Sequence, residues 1–223
     1  MKKKKLVQGR LVVIVGPSSS ESARIFSDIS SRLQKSGRKS LIVHDAASRS
    51  GRNLSDRNLL QRGPMASALY RASMLAHHVE ELILPALQNG RIVVCERYCF
   101  TDMARARVHG LNHSWIRHVM DFAPTPDLVL WIPGPPPTGD PTRFKVRMAT
   151  ALEALAQELG MQTPPDGLAG DGLRAWVADQ VEALARGMSP APVIEGAGLF
   201  DRDPNGDPAS VRQSCLNPVR GAH

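Results

Sequence analysis

Near-solid apolar blocks punctuate this chain, and the stretches between them carry apolar residues every three or four positions. The blocks are Leu11–Val15, Ser40–Val43, Arg91–Cys95, Leu128–Ile132 and a shorter Val193–Glu195. Runs of this length and density suit strands covered on both faces. After the first block, Ile25, Phe26, Ile29 and Leu33 predict a helix to about Lys35, closed by Ser36-Gly37-Arg38. Strand, helix, strand in that order predicts a right-handed parallel crossover. The longest periodic stretch is Met65–Leu87, with Leu69, Ala72, Val79, Leu82, Ile83 and Ala86 on one face and Pro85 set to kink or divide it. Further helices are predicted over Thr101–Met120, broken near Gly110, over Arg143–Leu159 with Met148, Leu152, Leu155 and Leu159 on one side, and over Leu173–Arg186.

The pattern predicts an α/β protein: a three-layer sandwich with a central parallel sheet of about five strands and helices on both sides. One domain over residues 1–200 accounts for it, and residues 201–223, with three prolines and little periodicity, read as a loosely ordered tail. The polar segment 45–63 and the run Pro133-Gly134-Pro135-Pro136-Pro137-Thr138-Gly139-Asp140 read as loops, as does the stretch around Pro164–Gly170. A polar loop as long as 45–63 in a compact domain is often a ligand loop.

Composition narrows the function. A hydrophobic content of 42% over 223 residues supports a sizeable core, and aromatics at 4% leave that core to Leu, Val, Ile and Ala. The formal net charge of +7 suits an anionic partner such as a nucleotide or phosphate, although Lys2, Lys3, Lys4 and Lys5 read first as a solvated tail. Basic residues are dispersed and aromatics few, so nucleic-acid binding finds little support. No apolar run approaches the roughly 18 residues of a membrane span, and Leu11–Val15 is too short for a signal peptide's apolar region. Cys95, Cys99 and Cys215 form neither a zinc pattern nor a disulfide framework, which favours a reducing, cytoplasmic setting. His77-His78 point to different faces of a helix, and His109, His113 and Arg117 read as ordinary surface groups. The chain holds no G-x-S-x-G and no H-E-x-x-H.

Two places carry candidate chemistry. The first is the turn after Val15, Gly16-Pro17-Ser18-Ser19-Ser20-Glu21-Ser22-Ala23, which sits where a phosphate-binding loop would sit. In the pattern G-x-x-x-x-G-K-[ST], the second glycine allows close backbone approach, the lysine reaches the β/γ-phosphates and the hydroxyl holds Mg²⁺. Aligned from Gly16, those positions hold Glu21, Ser22 and Ala23. Ser18, Ser19 and Ser20 either bind an anion at a helix N-terminus or simply cap the helix. The second place is Glu96-Arg97-Tyr98, at the carboxyl end of a parallel strand, the edge where ligands bind in open α/β sheets. The alternative for Glu96 and Arg97 is a plain surface pair.

Five segments together resemble the thymidylate kinase family of P-loop nucleoside monophosphate kinases. They are Gly9–Gly16, His78–Leu87, Val93–Tyr98 with its [DE]-R-Y signature, Thr101 with Ala104-Arg105 as in a variant T-x-x-A-R branch, and Pro126–Leu130. The resemblance covers about residues 9–132 and the remainder in outline. It implies a P-loop NTPase-type fold, with Glu96 as the Mg²⁺-side carboxylate and Arg97 as a phosphate clamp. It also implies donor-side contacts from Gly16, Ser18, Ser19, Ser20, Ser22 and Arg24, and substrate contacts from Tyr98, Arg71 and Arg105. An active member would use ATP and Mg²⁺, and family members commonly form homodimers, for which the Met65–Leu87 helix is the expected interface.

The departures are as informative. Ser22 and Ala23 replace lysine and hydroxyl, with Arg24 the nearest substitute cation, two residues past the usual place. Leu75 stands where the family's R-x-x-H arginine stands, and His44-Asp45-Ala46-Ala47 replaces an Arg-Glu-Pro-Gly stretch. The proline-rich run replaces the lid, with Arg143, Lys145 and Arg147 either surrogate lid cations or solvated helix-face charges. The leading expectation is therefore a catalytically impaired member, a pseudokinase that binds a nucleotide or other phosphate ligand. An active nucleoside monophosphate kinase and a non-enzymatic scaffold are the alternatives.

Overall fold

The computed structural model describes residues 9–16, 20–44, 63–134, 139–140 and 142–188. Strand β1, Arg10–Val15, lies inside a parallel sheet with β3, Ile92–Glu96, on one side and β4, Leu128–Trp131, on the other; β2, Ser40–Val43, pairs with the far edge of β3. The order β2-β3-β1-β4 places the ends of β1 and β3 side by side, with Val13 opposite Cys95 and Ile14 opposite Glu96. The described residues hold four of the expected strands; the Val193–Glu195 block and the 201–223 tail lie outside them.

The two faces of β1 explain why its apolar run is unbroken. Val12 and Ile14 pack with Phe26, Ile29 and Leu33 of α1, Ser20–Lys35, and with Val177 and Val181 of the last helix, Gly170–Ala185. Leu11, Val13 and Val15 pack on the opposite side, in the cluster that holds Ala72, Phe100 and Leu155. Each fully buried Leu, Ile, Val or Phe contributes about 1.5–3 kcal/mol by leaving water, so the two layers together fix the three-layer sandwich. Gly37, at φ 69, ends α1: Arg38 N–H donates to Leu33 C=O at 2.9 Å and Gly37 N–H to Gln34 C=O at 3.0 Å. That pair of bonds needs a left-handed residue, which glycine supplies at little cost.

The long stretch from Met65 divides into α2, Pro64–His78, a π turn, Val79–Ile83, and α3, Leu84–Gln88. Pro85 has no N–H to give to the Glu81 carbonyl and its ring would strike it, so the helix widens just before the proline. The buried face runs through Ala68, Ala72, Leu75, Val79, Ile83 and Ala86. Leu69 and Leu82, expected on that face, are instead 47% and 41% exposed. Leu69 sits about 100° round the helix from Ala68, and the extra residue of the π turn moves Leu82 out of phase.

Beyond β3, α4 (Phe100–Val108) and α5 (His113–Val119) part at Gly110 as expected. The next helix, α6, is Phe144–Glu158, with Met148, Leu152, Leu155 and Leu159 all buried, and α7 is Gly170–Ala185. Between α6 and α7, in a segment expected to be loop alone, Gln162 makes an isolated parallel bridge to Leu130. Its N–H donates to Val129 C=O at 3.0 Å and its C=O accepts from Trp131 N–H at 2.8 Å, covering the outer edge of β4. Asp127 secures the other end of that strand. Its N–H donates to Leu11 C=O at 2.7 Å, while its carboxylate accepts from Leu11 N–H at 2.9 Å and from Arg10 Nη1 at 2.8 Å.

Candidate functional site

The carboxyl ends of β1, β2, β3 and β4 lead into Gly16, His44, Arg97 and Ile132, so the topology brings these residues to one edge. A Cβ on Gly16 would come within 2.8 Å of the Ile132 carbonyl oxygen, so this glycine is required by the packing of β1 against β4. The chain after β3 turns sharply. Arg97 N–H completes the sheet by donating to Ile14 C=O at 2.8 Å, and Tyr98 N–H then donates back to Glu96 C=O at 2.7 Å. Arg97 and Tyr98 have φ of 67 and 52. This is a three-residue γ-turn centred on an arginine in the left-handed region, an arrangement that stores backbone strain.

Tyr98 anchors the turn. It is buried, and its hydroxyl donates to the Pro124 carbonyl at 3.0 Å. Burial, followed by the neighbouring Cys99 and Cys95, pushes its phenol pKa well above the ordinary value. Burial likewise raises the thiols of Cys95 and Cys99 far above the usual cysteine range, so neither offers a thiolate nucleophile.

Glu96 is engaged by a residue to which the sequence reading gave no role in the site. His44 Nδ1 lies 3.2 Å from Glu96 Oε2, and the His44 ring meets Phe26 edge-on with centroids 5.4 Å apart. Behind this pair lies a small cavity of about 20 Å³, lined by His44, Glu96 and Tyr98 together with Arg71 and His78 of α2 and Asp102 of α4. Arg71 Nη1 stands 3.7 Å from Asp102 Oδ1, with the two side chains 7% and 13% exposed. The structure thus brings Glu96, Tyr98 and Arg71 around one space and adds His44, His78 and Asp102. The signal for His44 was its place directly after β2; Asp102 carried none beyond its position in the first turn of α4.

The remaining predicted residues are placed differently. Ser18 and Ser19 lie outside the described residues. Ser20 opens α1, Ser22 is half-buried, and Arg24 is exposed on the same helix. Arg105 lies one turn beyond Thr101 on α4, its guanidinium carbon 5.4 Å from the centre of the Phe144 ring, and it is not among the residues lining the cavity. Arg143 and Lys145 are exposed, whereas Arg147 donates to the Val108 carbonyl at the end of α4, a favourable place for a cation. His109 and His113 are more than surface groups. Burial first, then Arg105 for His109 and Arg107 for His113, depress both pKa values below the ordinary 6.5. His109 Nε2 is buried with no hydrogen-bond partner, and the ring lies 5.5 Å from that of Phe144.

Among the described residues no group of three or more His, Cys, Asp or Glu side chains is arranged to hold a metal ion, and no helix is long and apolar enough to cross a membrane.

Comparison with known proteins agrees with this architecture. A probable thymidylate kinase of Pyrococcus abyssi is 42% identical over 65 residues, 29% of this chain and 32% of the relative. A thymidylate kinase of Xanthomonas campestris is 47% identical over 62 residues, 28% of this chain and 27% of that protein. The chain therefore matches less than a third of the length of these curated relatives. The crystal structure of thymidylate kinase from Ehrlichia chaffeensis superposes with a TM-score of 0.58 over 80% of this chain and 99% of that one, at 17% identity, and so speaks for the fold. The sequence model of thymidylate kinase matches residues 25–146, more than half of the 223 residues, and the chain belongs to the thymidylate kinase family.

Proposed function

We propose that this protein binds a nucleoside monophosphate, or another phosphate-bearing ligand, at the carboxyl edge of its sheet, and that it is catalytically impaired as a phosphotransferase. The observation that carries the reading is the γ-turn at Arg97, with φ 67, between the Glu96 carbonyl and the Tyr98 amide. Holding a non-glycine residue in this region costs on the order of 1–3 kcal/mol, and such outliers cluster at ligand clamps. An arginine fixed this way presents a planar fork of donors suited to phosphate.

Thymidylate kinases use ATP and Mg²⁺. The residues of this chain do not fit a Mg²⁺-triphosphate in the family's way. The lysine and hydroxyl positions hold Ser22 and Ala23, Arg24 is exposed two residues further on, and Glu96 already meets His44 at 3.2 Å. Arginine stabilisation alone is worth about 10³–10⁵ in rate, which presupposes a donor phosphate already held in line. No phosphoryl-transfer step follows from these residues. Arg97 is the group that binds the anion, and Glu96 and Tyr98 fix the turn that presents it.

A homodimer through the α2 face is part of the proposal. Met65, Leu69 and Leu82 are 55%, 47% and 41% exposed on this stretch. The free, buried Cys95 and Cys99 accord with a cytoplasmic setting.

The test is coupled ADP release with ATP, Mg²⁺ and a panel of nucleoside monophosphates. The expected result is no turnover above background. Turnover that Arg97→Ala abolishes would instead establish the active kinase.

A further inference from the structure

We infer that His44 takes the place a divalent cation would have beside Glu96, so that the anion site at Arg97 works without a metal; this rests on the phosphate-binding reading above. β2 and β3 run in parallel register with Val43 opposite Cys95, which sets the next residues, His44 and Glu96, side by side where the two strands end. Val43 and Cys95 belong to the layer that holds Ala72 and Phe100, so strand alternation turns His44 and Glu96 toward the opposite face, the side of α1. There the buried Phe26 of α1 meets the His44 ring edge-on, with centroids 5.4 Å apart and an interplanar angle of 67°. Strand register on one side and Phe26 on the other hold the ring with Nδ1 3.2 Å from Glu96 Oε2. The two side chains are 34% and 17% exposed, so water screens the contact only in part.

The chemistry of the contact gives it a direction. An ionised carboxylate only accepts, so His44 Nδ1 carries the hydrogen that Glu96 Oε2 receives. The consequence falls on the next residue in the chain. Arg97 follows Glu96 directly, and a phosphate drawn to its guanidinium comes to an edge that already carries the Glu96 charge. Like charges at one site repel, and a common remedy is a bound cation shared between carboxylate and phosphate. Here a donor from the protein itself occupies that carboxylate. Among the described residues no group of three His, Cys, Asp or Glu side chains is arranged to hold an ion. The His44 hydrogen offsets part of the Glu96 charge and keeps the carboxylate turned toward the end of β2. His44 is thus a positioning residue for the anion site: it acts through Glu96.

The experiment is calorimetric titration of the full chain with dTMP and with inorganic phosphate, each in EDTA and in millimolar Mg²⁺. Wild-type affinity for either probe is expected to agree within about twofold between the two buffers, because a cation with no site of its own is not coupled to the ligand. His44→Leu keeps an apolar contact with Phe26 and removes the donor, and is expected to weaken binding about tenfold by leaving the carboxylate charge unmatched. Adding Glu96→Gln to His44→Leu removes that charge and is expected to restore the affinity, which a purely structural role of His44 would not allow. Three results overturn the inference and leave phosphate binding standing: a wild type that needs Mg²⁺, a His44→Leu that binds as tightly as wild type, or a loss that Glu96→Gln does not restore. Binding of neither probe by the wild type overturns the phosphate-binding reading itself. The comparison with and without Mg²⁺ uses the unaltered protein, so it decides even if a substituted chain folds poorly.

Discussion

The amide of Tyr98 donates to the carbonyl of Glu96 at 2.7 Å, and the residue looped between them, Arg97, is held at φ 67. A residue with a Cβ pays about 1–2 kcal/mol for the left-handed region, whereas glycine does not. Arg97→Gly is therefore expected to be more stable than Arg97→Ala by about 1 kcal/mol, read from urea midpoints, while both lose phosphate binding. Equal midpoints would show that the turn stores no strain.

Tyr98 fastens the same turn through its hydroxyl to Pro124, at 3.0 Å. Tyr98→Phe removes one partly buried hydrogen bond and is expected to cost about 1 kcal/mol in chemical denaturation. Ligand affinity is expected to stay within about twofold by calorimetry, because the hydroxyl is turned toward Pro124 and the ring that lines the cavity is kept.

Asp127 joins β1 to β4 by accepting from Leu11 N–H at 2.9 Å and Arg10 Nη1 at 2.8 Å. Asp127→Ala leaves the Leu11 amide without its carboxylate and is expected to cost about 1–3 kcal/mol. Asp127→Asn keeps one acceptor oxygen and is expected to recover part of that loss. A denaturation midpoint unchanged in Asp127→Ala would remove this residue's part in fixing the strand.

Stability is expected to fall on mild acidification. Burial first, then nearby arginines, hold the folded pKa of His109 and His113 below the ordinary 6.5. Below about pH 6.5 the unfolded chain binds more protons than the folded one, so folding weakens as pH drops from about 6.5 toward the folded values, while pH well above 6.5 leaves this contribution unchanged. His109→Gln is expected to flatten this dependence of the thermal midpoint. A midpoint independent of pH between 7 and 5 would contradict the assignment. A separate acid loss is expected below the ordinary carboxylate value of 4.5, where Glu158, lowered by its hydrogen bond from Arg107, becomes protonated.

Much of the fold was legible because its cause is local. The unbroken run Leu11–Val15 is buried on both faces, and Gly37 and Gly110 stop helices where a left-handed residue is needed. What was not legible depends on phase or on distant partners. The exposure of Leu82 follows from the π turn before Pro85, which one-face helical counting does not include, and Leu69 stands about 100° round the helix from the buried Ala68. Gln162 pairs with β4 across the sheet edge, where no periodicity marks it. At the site, Glu96-Arg97-Tyr98 announced itself by its strand end. The ion pair of Arg71 with Asp102 joins two helices, and the contact of His44 with Glu96 joins two neighbouring strand ends. Neither is visible until the sheet order β2-β3-β1-β4 is known.

The central claim is that the edge around Arg97 binds a nucleotide phosphate, and linkage makes this measurable: a ligand at 100 times its Kd stabilises the folded state by about 2.7 kcal/mol. The most direct measurement is the thermal midpoint of the wild-type chain and of Arg97→Ala with a panel of nucleoside monophosphates, with and without Mg²⁺. The account predicts a ligand-dependent rise of several degrees in the wild type that Arg97→Ala abolishes and that persists without Mg²⁺. No rise with any monophosphate, or a full rise in Arg97→Ala, would contradict it.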